Sequence, residues 1–316
     1  MITRIKIEGY KSIKNLDLRL KPINILLGSN GVGKSNFISL FSLLKNIYNK
    51  NLEKYVLING GADSFLYFGK KNSKEINIDI SFDNEDSSCS ILNLEESDDS
   101  LIIKSINTSF NNHLQEFDVY HFNDTGCHSP MKGRCNIEDN HKLNSDGSNI
   151  AAFLYYLKVK EPKHFKRIEM TIRSIAPFFD EFRLYPTRLN EEKIQLEWRE
   201  KGFPDAYFNA YHLSDGTLRF ICLATLLMQP NPPKTIIIDE PELGLHPVAI
   251  NKLSALIRKV SAKTQVIVST QSVSFIDNFQ PEDIILTDRK DSSSTFKRLD
   301  SSELSVWLQE YTLSHI

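Results

Sequence analysis

Two short stretches of the sequence carry residue types that suit the chemistry of a polyphosphate. Near the N-terminus, residues 28–35 follow the pattern of glycine, four residues, glycine, lysine and serine. Far along the chain, an apolar run ends in the adjacent acids Asp239 and Glu240, with a proline after them. A glycine loop with a lysine can hold phosphates, and paired acids can hold a metal ion and activate water. We therefore expect one nucleotide site to be built from both stretches.

The glycine loop matches the phosphate-loop pattern at every defining position. Glycines allow the backbone to wrap a polyphosphate with its N–H groups inward, and the next helix directs its positive end at the anion. We expect Lys34 to contact the β- and γ-phosphates and to act in catalysis, and Ser35 to bind Mg²⁺. The expected nucleotide-binding residues of this loop are Gly28, Asn30, Gly31, Gly33, Lys34, Ser35 and Asn36. A plain glycine turn is the alternative, and the flanking strand and helix patterns disfavour it.

The acidic pair follows a threonine and three isoleucines, a pattern typical of a buried strand. We expect Asp239 to hold Mg²⁺ through water and Glu240 to be the general base, or to position the attacking water. The alternative is a solvated strand end that happens to carry two acids. The complete phosphate loop elsewhere in the chain makes that alternative weaker.

Hydrophobic periodicity predicts the elements that must position these residues. Strands are expected at 2–8, 16–20 and 23–27, and a helix from about Lys34 with apolar residues at helical spacing. Residues 60–125 contain short strand patterns separated by polar turns, which predicts an antiparallel subdomain. Helices are expected at 149–159 and 161–175, and strands at 182–187 and 193–199. The last third alternates helix 214–228, strand 235–239, helix 247–261, strand 265–269, helix 272–277 and strand 283–287, a parallel-sheet pattern that includes the strand before Gly28.

Composition excludes several classes of protein. The 316 residues are 41% hydrophobic and 25% charged, with a formal net charge of −2, which is unlike a wholly basic nucleic-acid binder. No apolar stretch is long enough to span a bilayer, and the N-terminus lacks a signal-peptide pattern, so we expect a cytoplasmic protein without a membrane-embedded part. The four cysteines have unrelated spacings. A metal site at Cys127, His128 and Cys135 is an alternative to ordinary loop thiols, and the weaker one.

The order of motifs resembles that of ATPase heads in the SMC/RecF/OLD branch of the ABC superfamily. The start, Ile-Glu-Gly-Tyr-Lys-Ser-Ile at residues 7–13, is similar to the opening of those heads. Residues 239–247, Asp-Glu-Pro-Glu-Leu-Gly-Leu-His-Pro, resemble the Walker B and D-loop of prokaryotic RecF/OLD-like AAA family ATPases. Residues 120–125 and 146–154 are also similar to that family, so the resemblance covers nearly the whole chain. Relatives often continue past the position of Thr312, and we expect this chain to lack that C-terminal segment.

The resemblance implies a fold and further site residues. The expected fold is α/β, an ABC/SMC-head-like P-loop NTPase with a mixed or parallel core sheet flanked by helices and an antiparallel β subdomain in the first lobe. One head would span 1–316, with N-terminal strands, Walker A and helix in 1–60, an inserted β/helical lobe in 61–200, and signature, Walker B and switch in 201–316. Lys11 and Ser12 would lie near the phosphates. Without sustained heptads or an appended metal-binding acidic domain, the head would be armless and no self-contained nuclease.

Residues 213–219 have the composition of a helix start, with Ser214 or Asp215 as its N-cap. An ordinary helix start is an equal alternative on the residues alone. By resemblance they form the ABC signature motif, in which Ser214 and the backbone of Gly216 bind the γ-phosphate held by an opposing subunit. Asp215 stands where such proteins usually carry glycine, and a carboxylate beside a triphosphate is unfavourable unless it points away.

Gln271 lies where many ABC ATPases have a switch histidine. A glutamine can donate a hydrogen bond to the γ-phosphate and accept one from water, but it cannot become a cation. We therefore expect a catalytic role without fast, histidine-assisted turnover; a helix-start glutamine without ligand contact is the alternative. For the glutamine that senses Mg²⁺ in many ABC heads, Gln115 and the loop at 60–65 are weak candidates.

These patterns predict an ATPase that binds ATP and Mg²⁺ and dimerises head-to-head around two Mg-ATP, as a homodimer or a higher even oligomer. By resemblance, its setting would be a bacterial antiphage-defence or DNA-maintenance complex. The alternative is a slow, nucleotide-gated scaffold or sensor that holds and releases a separately encoded nuclease or toxin subunit. DNA is a partner by family resemblance alone, and a transporter motor fits the motifs poorly.

Overall fold

The computed structural model describes residues 1–83, 89–106, 117–203 and 205–299. Clustering of contacts divides the chain into two compact units. The first comprises the described residues of Met1–Val119, Pro233–Glu240 and Ser261–Ile316. The second comprises those of Tyr120–Pro232 and Pro241–Val260. No helix in the described part of the chain is long and apolar enough to cross a membrane.

The helices and strands follow one another along the chain with these bounds. The helices are α1 Lys34–Tyr48, α2 Leu52–Ile58, α3 Ile150–Lys160, α4 Pro162–Ile175, α5 Asp215–Met228, α6 Pro247–Val260 and α7 Val273–Ile276. The strands are β1 Ile2–Tyr10, β2 Ile13–Arg19, β3 Ile23–Leu27, β4 Glu75–Phe82, β5 Cys89–Ser97, β6 Ser100–Ile106, β7 Phe117–Tyr120, β8 Arg134–Asn136, β9 Phe179–Phe182, β10 Pro186–Thr187, β11 Asn190–Gln195, β12 Glu197–Glu200, β13 Tyr207–Asn209, β14 Thr235–Asp239, β15 Gln265–Thr270, β16 Ile284–Lys290 and β17 Ser293–Arg298.

The central sheet of the first unit has the strand order β17-β16-β3-β15-β14-β7. Strands β16, β3, β15 and β14 run parallel to one another, whereas β17 is antiparallel to β16. The parallel strands β3 and β14 are mostly apolar, and β15 has a Val-Ile-Val centre. Nearly all side chains of the three strands are buried, as expected for strands covered on both faces. The prediction that the strands of the last third share a sheet with the strand before Gly28 is confirmed.

A second, antiparallel sheet in the same unit has the order β2-β1-β4-β5-β6. Its strands alternate buried and exposed positions, so one face packs on the core. Helix α1 contributes Phe37 and Phe41 to that core, where Phe41 packs edge-on against Phe117. The predicted antiparallel subdomain is therefore confirmed for the described residues.

The second unit combines helices α3 to α6 with the small sheets β13-β12-β9 and β10-β11-β8. The expected strands at 182–187 and 193–199 are wrong in their bounds. The four short strands β9 to β12 occupy residues 179–200 instead, and β9 ends at Phe182. Pro186 has no N–H to continue a ladder, so a single strand through it is disfavoured. The helix expected at 214–228 is confirmed as α5, Asp215–Met228. This helix is buried along almost its whole length.

Candidate functional site

The carboxyl ends of three neighbouring parallel strands bring the expected site residues to one edge of the central sheet. The glycine loop follows β3, Gln271 follows β15, and Asp239 ends β14 with Glu240 directly after it. Because β15 lies between β3 and β14 in the sheet, these three chain segments are neighbours. Ligands of open α/β sheets bind at this edge, beyond the carboxyl ends of the strands.

Two glycines of the loop are required by close packing, and one of them by its backbone angle as well. A Cβ atom on Gly28 would lie 2.3 Å from the carbonyl oxygen of Thr287. A Cβ atom on Gly33 would lie 2.1 Å from Oγ of Ser294, and Gly33 also has a φ of +112°. No larger residue fits these positions without movement of β16 or β17. The loop is thus held tightly against the strand pair next to it.

The loop and the start of α1 form a site for an anion. Helix α1 begins at Lys34 without a side-chain cap and without an acid in its first turn, so its N–H groups are available to a ligand. The Lys34 side chain is buried, and its ammonium donates to the carbonyl oxygens of Gly28 and Ser29 at 2.6 and 2.9 Å. Ser29, Asn30 and Ser35 are exposed. This arrangement of glycines, an ammonium and an open helix N-terminus fits a polyphosphate.

The acidic pair is held by β15. One carboxylate oxygen of Asp239 accepts a short hydrogen bond from the hydroxyl of Ser269. The backbone N–H of Glu240 donates to the carbonyl oxygen of Ser269 at 3.0 Å. Glu240 has a φ of +45°, a left-handed conformation that is uncommon for a residue with a side chain and often found at functional sites. The β15 contacts therefore hold Glu240 in a strained position at the strand end.

Gln271 contacts the expected general base directly. Its side-chain Nε2 donates a short hydrogen bond to Oε1 of Glu240. Ser269, two residues earlier in the chain, is fully buried and links both acids to the same strand. The sequence patterns did not identify Ser269, because only the strand pairing of β14 and β15 brings it to the acids.

The N-terminal residues Lys11 and Ser12 have different positions. Lys11 has a φ of +47°, and its ammonium donates to Oγ of Ser39 at 3.0 Å. This ammonium lies over the rings of Tyr10 and Phe65, and burial lowers the pKa of Lys11. Ser12, in contrast, lies beside the glycine loop: its Oγ accepts from Nδ2 of Asn36 at 2.7 Å. The structure therefore places Ser12 and Asn36 together at the loop, and directs Lys11 to the side of α1.

In the second unit, Ser214 caps helix α5, with its Oγ accepting from the backbone N–H of Thr217 at 3.2 Å. The side chain of Ser214 is exposed. A Cβ atom on Gly216 would lie 2.4 Å from the carbonyl oxygen of Gly244, so glycine is required where α5 meets the loop before α6. The helix start thus presents an exposed hydroxyl at Ser214, while Gly216 packs closely against the loop before α6.

The carboxylate of Asp215 is directed at a buried cation. One of its oxygens lies 3.4 Å from Nζ of Lys132, whose side chain is 9% exposed. The same ammonium donates to the carbonyl oxygen of Thr125 at 2.6 Å. Lys132 is far away in sequence and carries no motif, so sequence reasoning missed it. This ion pair partly neutralises the carboxylate that stands in the place of the usual glycine.

Oxygen donors suited to Mg²⁺ are present at the sheet edge. Ser35 offers a hydroxyl and Asp239 a carboxylate, and Mg²⁺ typically uses one or two protein ligands together with waters and phosphate oxygens. Within the described residues, no group of three or more His, Cys, Asp or Glu side chains could hold a metal ion by itself. The alternative metal site at Cys127 and Cys135 is therefore not supported, while Gln115 lies outside the described residues.

The fold is that of known SMC heads. A crystal structure of an Smc head bound to the C-winged helix domain of ScpA matches with a TM-score of 0.71 and 16% identity, covering 96% of this chain and 99% of that chain. The Smc head with an extended coiled coil bound to the C-terminal domain of ScpA from Pyrococcus furiosus matches with a TM-score of 0.64 and 15% identity, covering 98% of both chains. The SMC head domain from Thermotoga maritima matches with a TM-score of 0.52 and 13% identity, covering 95% and 99%.

Sequence comparison adds the family. No curated protein matches the chain. The family model described as "AAA domain, putative AbiEii toxin, Type IV TA system" matches residues 23–277, which include the glycine loop, the acidic pair and Gln271. The expected resemblance and fold class are confirmed together. The chain belongs to this family of AAA ATPase domains and has the fold of an SMC/RecF-like ABC-type ATPase head.

Proposed function

We propose that this protein binds and hydrolyses ATP and that two copies join head-to-head around two Mg-ATP. The observation that carries the proposal is the shared sheet edge, where Lys34, Glu240 and Gln271 follow three adjacent parallel strands. Each residue type has a task there. Lys34 binds the phosphates, Glu240 accepts a proton from the attacking water, and Gln271 holds the Glu240 carboxylate in place.

The residues present suit Mg²⁺ as well. Ser35 and Asp239 would hold the ion, which in such sites neutralises the charge of the β- and γ-phosphates. The hydrogen bond from Ser269 restricts the Asp239 carboxylate to one orientation. Restricting the carboxylate in advance lowers the entropy cost of binding a ligand there.

Dimerisation would complete each site with Ser214 and the backbone of Gly216 from the other copy. Support comes from the exposed Ser214 hydroxyl at the N-terminus of α5, where backbone N–H groups favour an anion. The partner's γ-phosphate is the anion that would lie there.

Light scattering and nucleotide binding test the proposal together. Lys34→Ala should abolish binding of fluorescent ATP, whereas Lys14→Ala, an exposed lysine on β2, should bind as the wild type does. With Mg-ATP, Glu240→Gln should double the molar mass, and adding Ser214→Glu should restore the monomer by charge repulsion against the γ-phosphate. A Glu240→Gln protein that stays monomeric at saturating ATP contradicts the dimer.

A second candidate function is a slow, nucleotide-gated scaffold that holds an effector subunit. The neutral Gln271 beside Glu240 favours it, because a glutamine cannot supply a positive charge to the transition state. The family description names a putative toxin and a toxin–antitoxin system, and two of the three matched SMC heads are bound to ScpA domains. These likenesses support a separately encoded nuclease or toxin as partner, in a defence or DNA-maintenance complex.

Turnover distinguishes the two candidates. The scaffold predicts a purified protein that binds ATP with high occupancy, hydrolyses it at well below one per second, and retains a neighbouring gene product only in one nucleotide state. If the isolated protein completes multiple rapid turnovers and retains no partner in either nucleotide state, the result favours the ATPase and contradicts the scaffold.

A further inference from the structure

Strand β17 contributes a buried serine to the underside of the glycine loop. Ser294 is 2% exposed, and its backbone N–H donates to the carbonyl oxygen of Ser12 at 2.8 Å. Its hydroxyl lies 2.7 Å from Oγ of Ser12. It also lies 2.1 Å from the position that a Cβ atom on Gly33 would take. A residue near the C-terminal end of the described chain therefore packs directly against the phosphate loop.

The direction of the hydrogen bond between the two serines follows from their surroundings. The Ser294 hydroxyl is buried, and within the described residues Ser12 Oγ is the hydrogen-bond partner that the structure gives it. Because a buried hydroxyl proton without an acceptor costs free energy, Ser294 donates to Ser12. The Asn36 amide also donates to Ser12 Oγ, at 2.7 Å, because an NH₂ group cannot accept.

These two donors determine what Ser12 can do. A serine hydroxyl has two acceptor lone pairs and one proton. With Asn36 and Ser294 occupying both lone pairs, the Ser12 proton has to point away from them. Ser12 is partly exposed and lies at the glycine loop, since a Cβ atom on Gly33 would be 3.0 Å from its Oγ. Its proton is therefore available to an oxygen atom of a ligand held by the loop.

We propose that Ser294 is a positioning residue that fixes the Ser12 hydroxyl as a hydrogen-bond donor to the bound nucleotide. The inference rests on the proposed nucleotide site and adds a residue on β17 that carries no motif. Ser294 itself does not touch the nucleotide. The Ser294 hydroxyl donates its proton to Ser12 Oγ. The proton of Ser12 is then free to be donated to a phosphate oxygen.

Equilibrium binding of fluorescent ATP to four proteins tests this role: the wild type, Ser12→Ala, Ser294→Ala and the double variant. Ser294→Ala should weaken binding about three- to tenfold, the effect of one hydrogen bond. In the Ser12→Ala background, Ser294→Ala should cause no further loss, because its effect passes through Ser12. Thr295→Ala on the same strand, where the hydroxyl donates to the Asp288 carbonyl oxygen, is the control and should bind normally.

Several results would overturn the role. Unchanged affinity of Ser294→Ala, or losses that add in the double variant, would leave Ser294 as packing only. If the alanine variant is poorly folded, Ser294→Cys takes its place, because it nearly keeps the volume but donates only weakly. It should weaken binding about three- to tenfold, and wild-type affinity would contradict the role. Lys34→Ala separates the two proposals. If this variant binds ATP normally, the proposed nucleotide site itself is wrong. If Lys34→Ala loses ATP binding while Ser294→Ala binds with wild-type affinity, only the positioning role is refuted.

Discussion

The side-chain amide of Gln271 donates a hydrogen bond to the carboxylate of Glu240. The two residues follow adjacent parallel strands, and the contact joins the ends of β14 and β15. The amide carries no charge at any ordinary pH, so it orients the carboxylate without supplying a cation. The Glu240 side chain is thereby oriented by a neutral partner, and substitution of either residue tests what this contact does.

Replacing Glu240 by glutamine should stop hydrolysis while ATP still binds. The amide keeps the size of the side chain but cannot accept a proton from water, and loss of a general base slows a reaction by about a hundredfold or more. Phosphate release should fall by that factor, while fluorescent ATP binds with unchanged affinity. Asp288→Asn, an exposed acid on β16, should hydrolyse at the wild-type rate. Equal rates for Glu240→Gln and the wild type would remove Glu240 from the mechanism.

Replacing Gln271 by histidine should introduce a new pH dependence. A histidine titrates near pH 6.5, and the neighbouring Glu240 carboxylate would shift that pKa upward by favouring the cation. The hydrolysis rate of the variant should therefore show an inflection at or above about pH 6.5. The wild type and Gln271→Asn, which keep an amide, should lack it. Superimposable profiles of the histidine variant and the wild type would mean that residue 271 does not act at the reacting centre.

The glycine loop allows a matched pair of alanine substitutions. Gly31 has a φ of +79° with nothing within 4 Å of its would-be Cβ, so alanine there should cost about 1–2 kcal/mol of backbone strain. Gly33 has both a φ of +112° and the overlap with Ser294, so alanine should cost about 2–5 kcal/mol and abolish ATP binding. Urea unfolding measures both. A Gly33→Ala protein as stable as Gly31→Ala would show that β17 does not constrain the loop.

Local patterns predicted the elements of the site well. Strands β3 and β14 have the expected bounds, and α1 begins at the expected Lys34, because each is a strongly periodic or continuous apolar segment. The contacts that refine the site could not be predicted in this way. Ser269 contacts Asp239, and Ser294 contacts Ser12, only through pairing or packing between segments that are distant in sequence. The same holds in the second unit for the contact of Lys132 with Asp215. Strand β17 is polar and was not predicted at all.

The ion pair between Asp215 and Lys132 should control ATP-driven dimerisation in opposite directions. Asp215→Asn removes a negative charge beside Ser214, so the helix start should bind the partner's γ-phosphate more tightly. Lys132→Met removes the cation that lies 3.4 Å from the Asp215 carboxylate, so the same contact should weaken. Each shift should be about three- to tenfold in the ATP concentration that half-saturates the dimer, in keeping with one exposed charge, and smaller at high salt.

Light scattering in the Glu240→Gln background, where hydrolysis does not consume the ATP, measures both shifts across an ATP titration. Urea unfolding of each variant shows whether a weaker dimer merely reflects a weaker fold, since the Lys132 ammonium also binds the Thr125 carbonyl oxygen. Lys163→Met, an exposed lysine on α4, controls for the loss of one positive charge. If both variants shift dimerisation in the same direction, the charge at residue 215 does not face the partner's phosphate, and the helix start has another role.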